Sequence, residues 1–112
     1  MTLAVAVRTP PAGSTRALHL CRPIAAWPAV YGDRTGIGGG VGLCDNNQQY
    51  WRYSTRLVNR AGNALDEVTG ARFGDAQVGT RRVGCAGAWV HSFVYINVGG
   101  EGNSDGNGDR YC

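Results

Sequence analysis

Four cysteines, Cys21, Cys44, Cys85 and Cys112, divide this 112-residue chain at wide intervals and constrain its fold more than any other feature. No two of them stand in a C-x-x-C pair, the spacing from which zinc sites and thioredoxin-like redox centres are built. An even number of widely spaced cysteines in a chain of one-domain length points to disulfides and an oxidising, extracellular compartment. The competing reading is reduced thiols buried as small hydrophobes in a cytosolic protein. Four cysteines allow three connectivities, and spacing does not choose among them. Cys112 is the last residue, which suggests that one bridge ties down the C-terminus, and we favour Cys21–Cys44 with Cys85–Cys112. Each would close a loop of between twenty and thirty residues, worth roughly 3 to 4 kcal/mol in the chain-entropy model.

The bridges matter because the core is expected to be modest. Eighteen residues are glycine and aliphatic side chains are thinly spread, so a further constraint must help offset the entropy lost on folding. The apolar run Leu3 to Val7 is shorter than the roughly 7 to 15 residues of a signal-peptide core, and no positive charge precedes it. This suggests a mature secreted form with an added or reassigned start Met. No stretch approaches the roughly 20 apolar residues of a membrane span. All eleven cations are arginine, and the formal charge of +3 is spread along the chain. The Arg81-Arg82 pair is too short to be a nucleic-acid arm.

The chain divides into residues 1–16, an N-terminal arm or edge strand ending in the breaker Thr9-Pro10-Pro11-Ala12-Gly13-Ser14, and residues 17–112, a single disulfide-stapled β domain. Pro23 and Pro28 deny Ala17 to Tyr31 a helix and restrict it to edge or irregular structure. Gly32 to Gly42 reads as a glycine-rich loop and matches neither G-x-G-x-x-G nor the P-loop, whose lysine this chain lacks. From Gln49 to Leu57 the residues alternate, with Trp51, Tyr53 and Leu57 on one face and Arg52, Ser54 and Arg56 on the other, as in a half-buried strand. Ala64 to Ala71 fits a short strand or one helical turn. Gln77 to Gly84 and Ala88 to Val98 are further extended runs, the second rich in β-branched and aromatic residues. Strands separated by glycine-rich turns, without a helical period, predict an all-β fold: a small β-sandwich or barrel.

Along Ala88 to Val98 the odd positions Trp89, His91, Phe93 and Tyr95 share one face. That stripe either packs against a second sheet or forms a platform on which sugar rings stack, apolar C–H faces against π-faces. His19 and His91 are the only histidines, and no serine or cysteine nucleophile context surrounds His91, so no catalytic residue is assigned. Asp66 and Glu67 are adjacent and would face opposite ways on a strand, which disqualifies them as a carboxylate pair about one bond. The tail from Glu101 to Asp109 places oxygen ligands at alternate positions but has Cys112 where a calcium loop needs a bidentate glutamate. It reads as a flexible polar hairpin loop closed by the last disulfide. No metal and no cofactor are expected.

Tyr50-Trp51-Arg52-Tyr53-Ser54 places Trp51 seven residues after Cys44. This segment resembles the inhibitory Trp-Arg-Tyr triplet of the tendamistat-type α-amylase inhibitors, small secreted β-sandwiches with two disulfides, whose triplet follows a cysteine at that distance. Their second bridge spans a length close to that from Cys85 to Cys112, with an arginine-containing segment before the last cysteine, as in Asp109-Arg110-Tyr111-Cys112. The chain departs from the family in having Val58, Asn59 and Arg60 where the first bridge closes, and in the longer N-terminal part with Cys21. The resemblance implies an inhibitor of an extracellular hydrolase, a glycosidase or α-amylase, acting through Trp51, Arg52 and Tyr53: a cation between two stacking faces. Two other functions compete with it: a lectin-like carbohydrate-binding module using Trp89, His91, Phe93 and Tyr95, and a small secreted enzyme or toxin centred on His91. The expected partner is an extracellular protein or a glycan, with neither nucleic acid nor membrane, and the protein is expected to be a monomer.

Overall fold

The residues from Trp89 to Val98 alternate almost perfectly, and the computed structural model, which describes residues 20–112, shows why. Val90, Val94, Ile96 and Val98 face inward and are buried, while Trp89, Phe93 and Tyr95 face outward. The arm or edge strand expected over residues 1–16, and His19, lie outside the described residues.

The strands are β1 (Cys21–Ala25), β2 (Ala29–Val30), β3 (Thr35–Ile37), β4 (Gly39–Cys44), β5 (Tyr50–Asn59), β6 (Ala64–Phe73), β7 (Ala76–Gly79), β8 (Val83–Gly84), β9 (Trp89–Val98) and β10 (Glu101–Tyr111). They form three antiparallel sheets, in the orders β10-β9-β5-β6, β1-β4-β7 and β2-β3-β8. The expected all-β fold with two disulfides is what forms. Among the described residues no helix is long and apolar enough to cross a membrane.

Among the described residues, the long four-stranded sheet is covered on one face only. The sheet β1-β4-β7 packs on part of that face, enclosing Trp51, Tyr53, Val78, Val94, Ile96 and Val98 around the Cys21–Cys44 bridge. A second cluster, Leu57, Val90 and the Cys85–Cys112 bridge, is packed by Val30 and Val83 of the small sheet. Both favoured pairings therefore form. Cys21 and Cys44 are direct cross-strand partners, so the first bridge reinforces a ladder, whereas the second holds the C-terminus to the segment after β8. Two polar side chains of this core are bonded: the Trp51 indole N–H donates to the Gly74 carbonyl at 2.7 Å, and the Thr55 hydroxyl donates to the Phe93 carbonyl at 3.0 Å.

Four sequence expectations change. Gly32 to Gly42 is not simply a loop, since β3 and most of β4 lie within it. One reason for the glycines is proximity: a Cβ on Gly42 would stand 2.6 Å from the Trp51 ring, so Gly42 makes room for the largest core side chain. Ala64 to Ala71 resolves as strand, extended to Phe73. The run from Gln77 to Gly84 breaks into β7 and β8 at Thr80 to Arg82, where Gly38 N–H donates to the Thr80 hydroxyl. Beside it, the Arg81 backbone N–H and guanidinium both donate to the Asp66 carboxylate. Those side-chain hydrogen bonds hold the Asp66 carboxyl below the ordinary aspartate range.

The fourth change is the tail. Glu101 to Tyr111 is not a flexible loop but an eleven-residue strand paired along the whole of β9. Gly99 and Gly100 make the tight turn with φ of 58° and 88°, the left-handed conformation that a two-residue hairpin requires. The oxygen-bearing side chains find protein partners: Asp105 accepts from Ala25 N–H at 2.7 Å, and Asn107 donates to the Ala25 carbonyl at 3.3 Å. These bonds close the corner between β10 and β1. Along a strand, alternate side chains are spaced about 7 Å apart, so these ligands do not wrap around a cation.

Candidate functional site

The face of the long sheet that the other described strands leave uncovered carries the outward residues of β9, flanked by β5 and β10. Register places Ser54 opposite Tyr95, Arg56 opposite Phe93 and Arg52 opposite Asn97. On the other side, Phe93 pairs with Gly106 and Tyr95 with Ser104.

The glycines of β10 set the posture of the rings. A Cβ on Gly106 would meet Phe93 Cε1 at 2.8 Å and Cζ at 3.1 Å, and a Cβ on Gly102 would overlap the Tyr95 ring and its hydroxyl. Both rings therefore lie down across β10, Phe93 onto its direct partner and Tyr95 onto a diagonal neighbour, in the space that side chains would otherwise fill. Each keeps a broad face toward solvent, with Phe93 37% and Tyr95 42% exposed. Asn97 Nδ2 donates to the Tyr95 hydroxyl at 3.2 Å, and its Oδ1 accepts from Gly100 N–H at 3.1 Å, which ties the Tyr95 ring to the hairpin turn.

Beside the rings is a depression of about 420 Å³ lined by Ser54, Arg56, Glu67, Phe93, Tyr95 and Ser104 among others. Ser54 Oγ donates to Glu67 Oε2 at 2.8 Å, and the Arg56 guanidinium lies 5.9 Å from the centre of the Phe93 ring. Apolar ring faces thus meet hydroxyls, a carboxylate and a cation in one shallow cleft.

Further along the same face, β9 and β10 slip register so that Asp109 is passed over between Gly108 and Arg110. Such a bulge re-aims a side chain. Here it brings the Asp109 carboxylate to Arg60 at 2.6 Å. Its other oxygen, Oδ1, is buried and lies 3.3 Å from His91 Nε2, within ion-pair reach but without hydrogen-bond geometry. Arg60 in turn covers the Trp89 ring at 4.4 Å, and Trp89 meets Tyr111 at 5.2 Å between centroids.

Trp89, His91, Phe93 and Tyr95 thus share one open face rather than the core, with Phe93 and Tyr95 over the glycines and Trp89 under Arg60. The structure does not assemble the Trp51, Arg52, Tyr53 triplet. Trp51 is fully buried and Tyr53 nearly so, while Arg52 points to solvent from the opposite face. Strand alternation separates the three, because a triplet displayed together needs a turn and this one lies within β5. Arg52 alone remains at the candidate site. Among the described residues no group of three or more His, Cys, Asp or Glu could hold a metal ion.

Several members of the site were not assigned to it from sequence: Glu67 entered only as a carboxylate pair with Asp66, Ser104 and Asp109 as part of the oxygen-rich tail, and Arg60, Asp109 and Tyr111 in the family comparison. For the ring shelf a signal existed, since Gly102 and Gly106 fall at the spacing of a strand face beside an aromatic strand. The bulge that turns Asp109 carries no such signal.

No family model matches the chain, and no curated protein matches it in sequence. Among solved structures, the solution structure of R. palustris CsgH is similar to it at 15% identity and a TM-score of 0.46, over 77% of this chain and 87% of that one.

Proposed function

We propose that the protein is a secreted carbohydrate-binding module whose binding surface is the open face of the long sheet. The observation that carries this reading is the posture of Phe93 and Tyr95. Two rings laid down over glycine backbone, open to solvent on one side, offer the flat apolar faces on which pyranose C–H groups stack. The hydroxyls of Ser54 and Ser104 and the Glu67 carboxylate are placed to meet sugar hydroxyls at the ring edge, the few convergent polar groups that fix a ligand's orientation. Secretion is supported by the two disulfides.

The protein acts by binding and not by turnover. His91 and Asp109 form a pair that Arg60 already engages, an arrangement suited to holding Trp89 and the end of β10 in place. The hydrolase-inhibitor reading loses its geometry with the burial of Trp51 and Tyr53.

The test is a glycan array probed with the oxidised protein, followed by titration of the best ligand into wild type and Phe93→Ala. A stacked ring contributes on the order of 1–2 kcal/mol, so F93A should weaken binding roughly five- to thirtyfold. Wild-type affinity in a folded F93A protein would remove the platform from the site.

A further inference from the structure

The open face is not electrically neutral along β5. Three arginines leave that strand or its end toward the site: Arg52, Arg56 and Arg60. Arg60 is bound by Asp109. Arg56 stands directly across from Glu67, a cross-strand distance of about 5 Å between Cβ atoms. Arg52 differs, because its partners on the two neighbouring strands are Ala71 and Asn97, both uncharged. Among the described residues Arg52 makes no ion pair. The exposed Arg52 thus leaves β5 one strand repeat, about 7 Å along the backbone, beyond Ser54 on the rim of the depression.

We infer that the ligand is an anionic glycan, with a sugar stacked on Phe93 and Tyr95 and the carboxylate or sulfate of an adjoining residue held by Arg52. The inference rests on the glycan-binding reading above and adds the charge of the ligand. The planar guanidinium has a fork of donors that matches a carboxylate or sulfate, and no protein acid competes for it. The chain's formal charge of +3 has the same sense. Glu67 points away from a nucleic acid as the anion. Its carboxylate lies in the depression among the rings, where it accepts hydrogen bonds from sugar hydroxyls but repels a phosphodiester chain stacking its bases on Phe93 and Tyr95. Charge is therefore partitioned along the face, with an acceptor beside the stacked ring and a cation past its end.

The test is calorimetric titration of the oxidised full-length protein with polygalacturonate, dextran sulfate, uncharged dextran and an oligodeoxythymidine. The variants are Arg52→Gln and, as a control, Arg22→Gln, an exposed arginine on β1. At least one of the two acidic polysaccharides should bind about tenfold or more tightly than dextran, the scale of one charge-assisted hydrogen-bonded contact. That advantage should vanish in R52Q and persist in R22Q. Dextran binding as tightly as the acidic polymers, or R52Q behaving as wild type, overturns the assignment of Arg52 while leaving the aromatic platform standing. Equal losses in R52Q and R22Q overturn it too, since the attraction is then general and not sited. Oligodeoxythymidine binding as tightly as the acidic glycans, and lost in F93A, assigns the face to nucleic acid instead. If no polymer binds, the anionic-glycan inference fails, and the array and F93A decide separately whether the platform binds any sugar.

Discussion

Replacing Gly106 with alanine perturbs the platform without touching its aromatic residues. The new Cβ would stand 2.8, 3.1 and 3.2 Å from Cε1, Cζ and Cδ1 of Phe93. Ordinary van der Waals separation of carbons begins near 3.5 Å, so the nearest edge of the ring must retreat by roughly 0.7 Å. The backbone at Gly106 is not in the left-handed region, so alanine fits the local conformation. Its smaller unfolded-state entropy favours folding by about 0.4–1 kcal/mol. Lifting an exposed ring forfeits a comparable amount of contact, and the net change in stability should lie within about 1 kcal/mol of zero. Binding should respond differently, because a tilted ring no longer presents its face parallel to the sheet: G106A should bind the glycan about tenfold more weakly, close to the loss in F93A. Chemical denaturation measures the first quantity and calorimetric titration the second. The decisive reading is a double-mutant cycle, in which G106A adds no further loss in an F93A background if it acts only through the ring. An additive loss, or wild-type affinity in G106A, would refute the claim that the glycine shelf sets the posture on which recognition depends.

Two predictions concern the scaffold. Removing the second bridge in Cys85→Ala/Cys112→Ala frees a sequence separation of 27 residues and should lower stability by about 3.5 kcal/mol in the chain-entropy model; a loss below about 1 kcal/mol would show the C-terminus held mainly by the β9–β10 ladder. For Asp66, whose carboxyl is lowered by the Arg81 hydrogen bonds, the stabilisation is present above the unfolded aspartate pKa, about 4, and fades as pH falls through the lower folded value. Asp66→Asn should therefore be less stable than wild type at pH 7, with the two denaturation curves converging toward about pH 2; a gap that is constant with pH would sink the ion-pair account.

Local pattern made much of the scaffold legible. The alternation in β5 and β9 identified strands and assigned Trp51, Tyr53 and Leu57 to one face and Arg52, Ser54 and Arg56 to the other. Pro23 marked an edge strand, and among the described residues β1 pairs on one side only. Glycine-rich stretches were misleading because glycine has two uses. In β4 and β10 it clears space for rings on neighbouring strands, and in isolation that looks the same as glycine supplying freedom to a loop. Asp66 and Glu67 do face opposite ways, as adjacent strand residues must: one binds Arg81 and the other lines the depression.

The sequence by itself determined the strand faces of β5 and β9 and pointed to disulfides and the all-β class, since these follow from period-two alternation and from the number and spacing of the cysteines. Only the tertiary structure decided which sheet face stays open. An aromatic stripe such as Trp89, Phe93 and Tyr95 satisfies the same local rule whether a second sheet covers it or not. The covering sheets settled on the valine face, where compact, branched side chains pack closely, and the rings found their support sideways on Gly102 and Gly106. Cross-strand register, which joins residues far apart in the chain, then placed Glu67 beside the rings and left Arg52 without an acid.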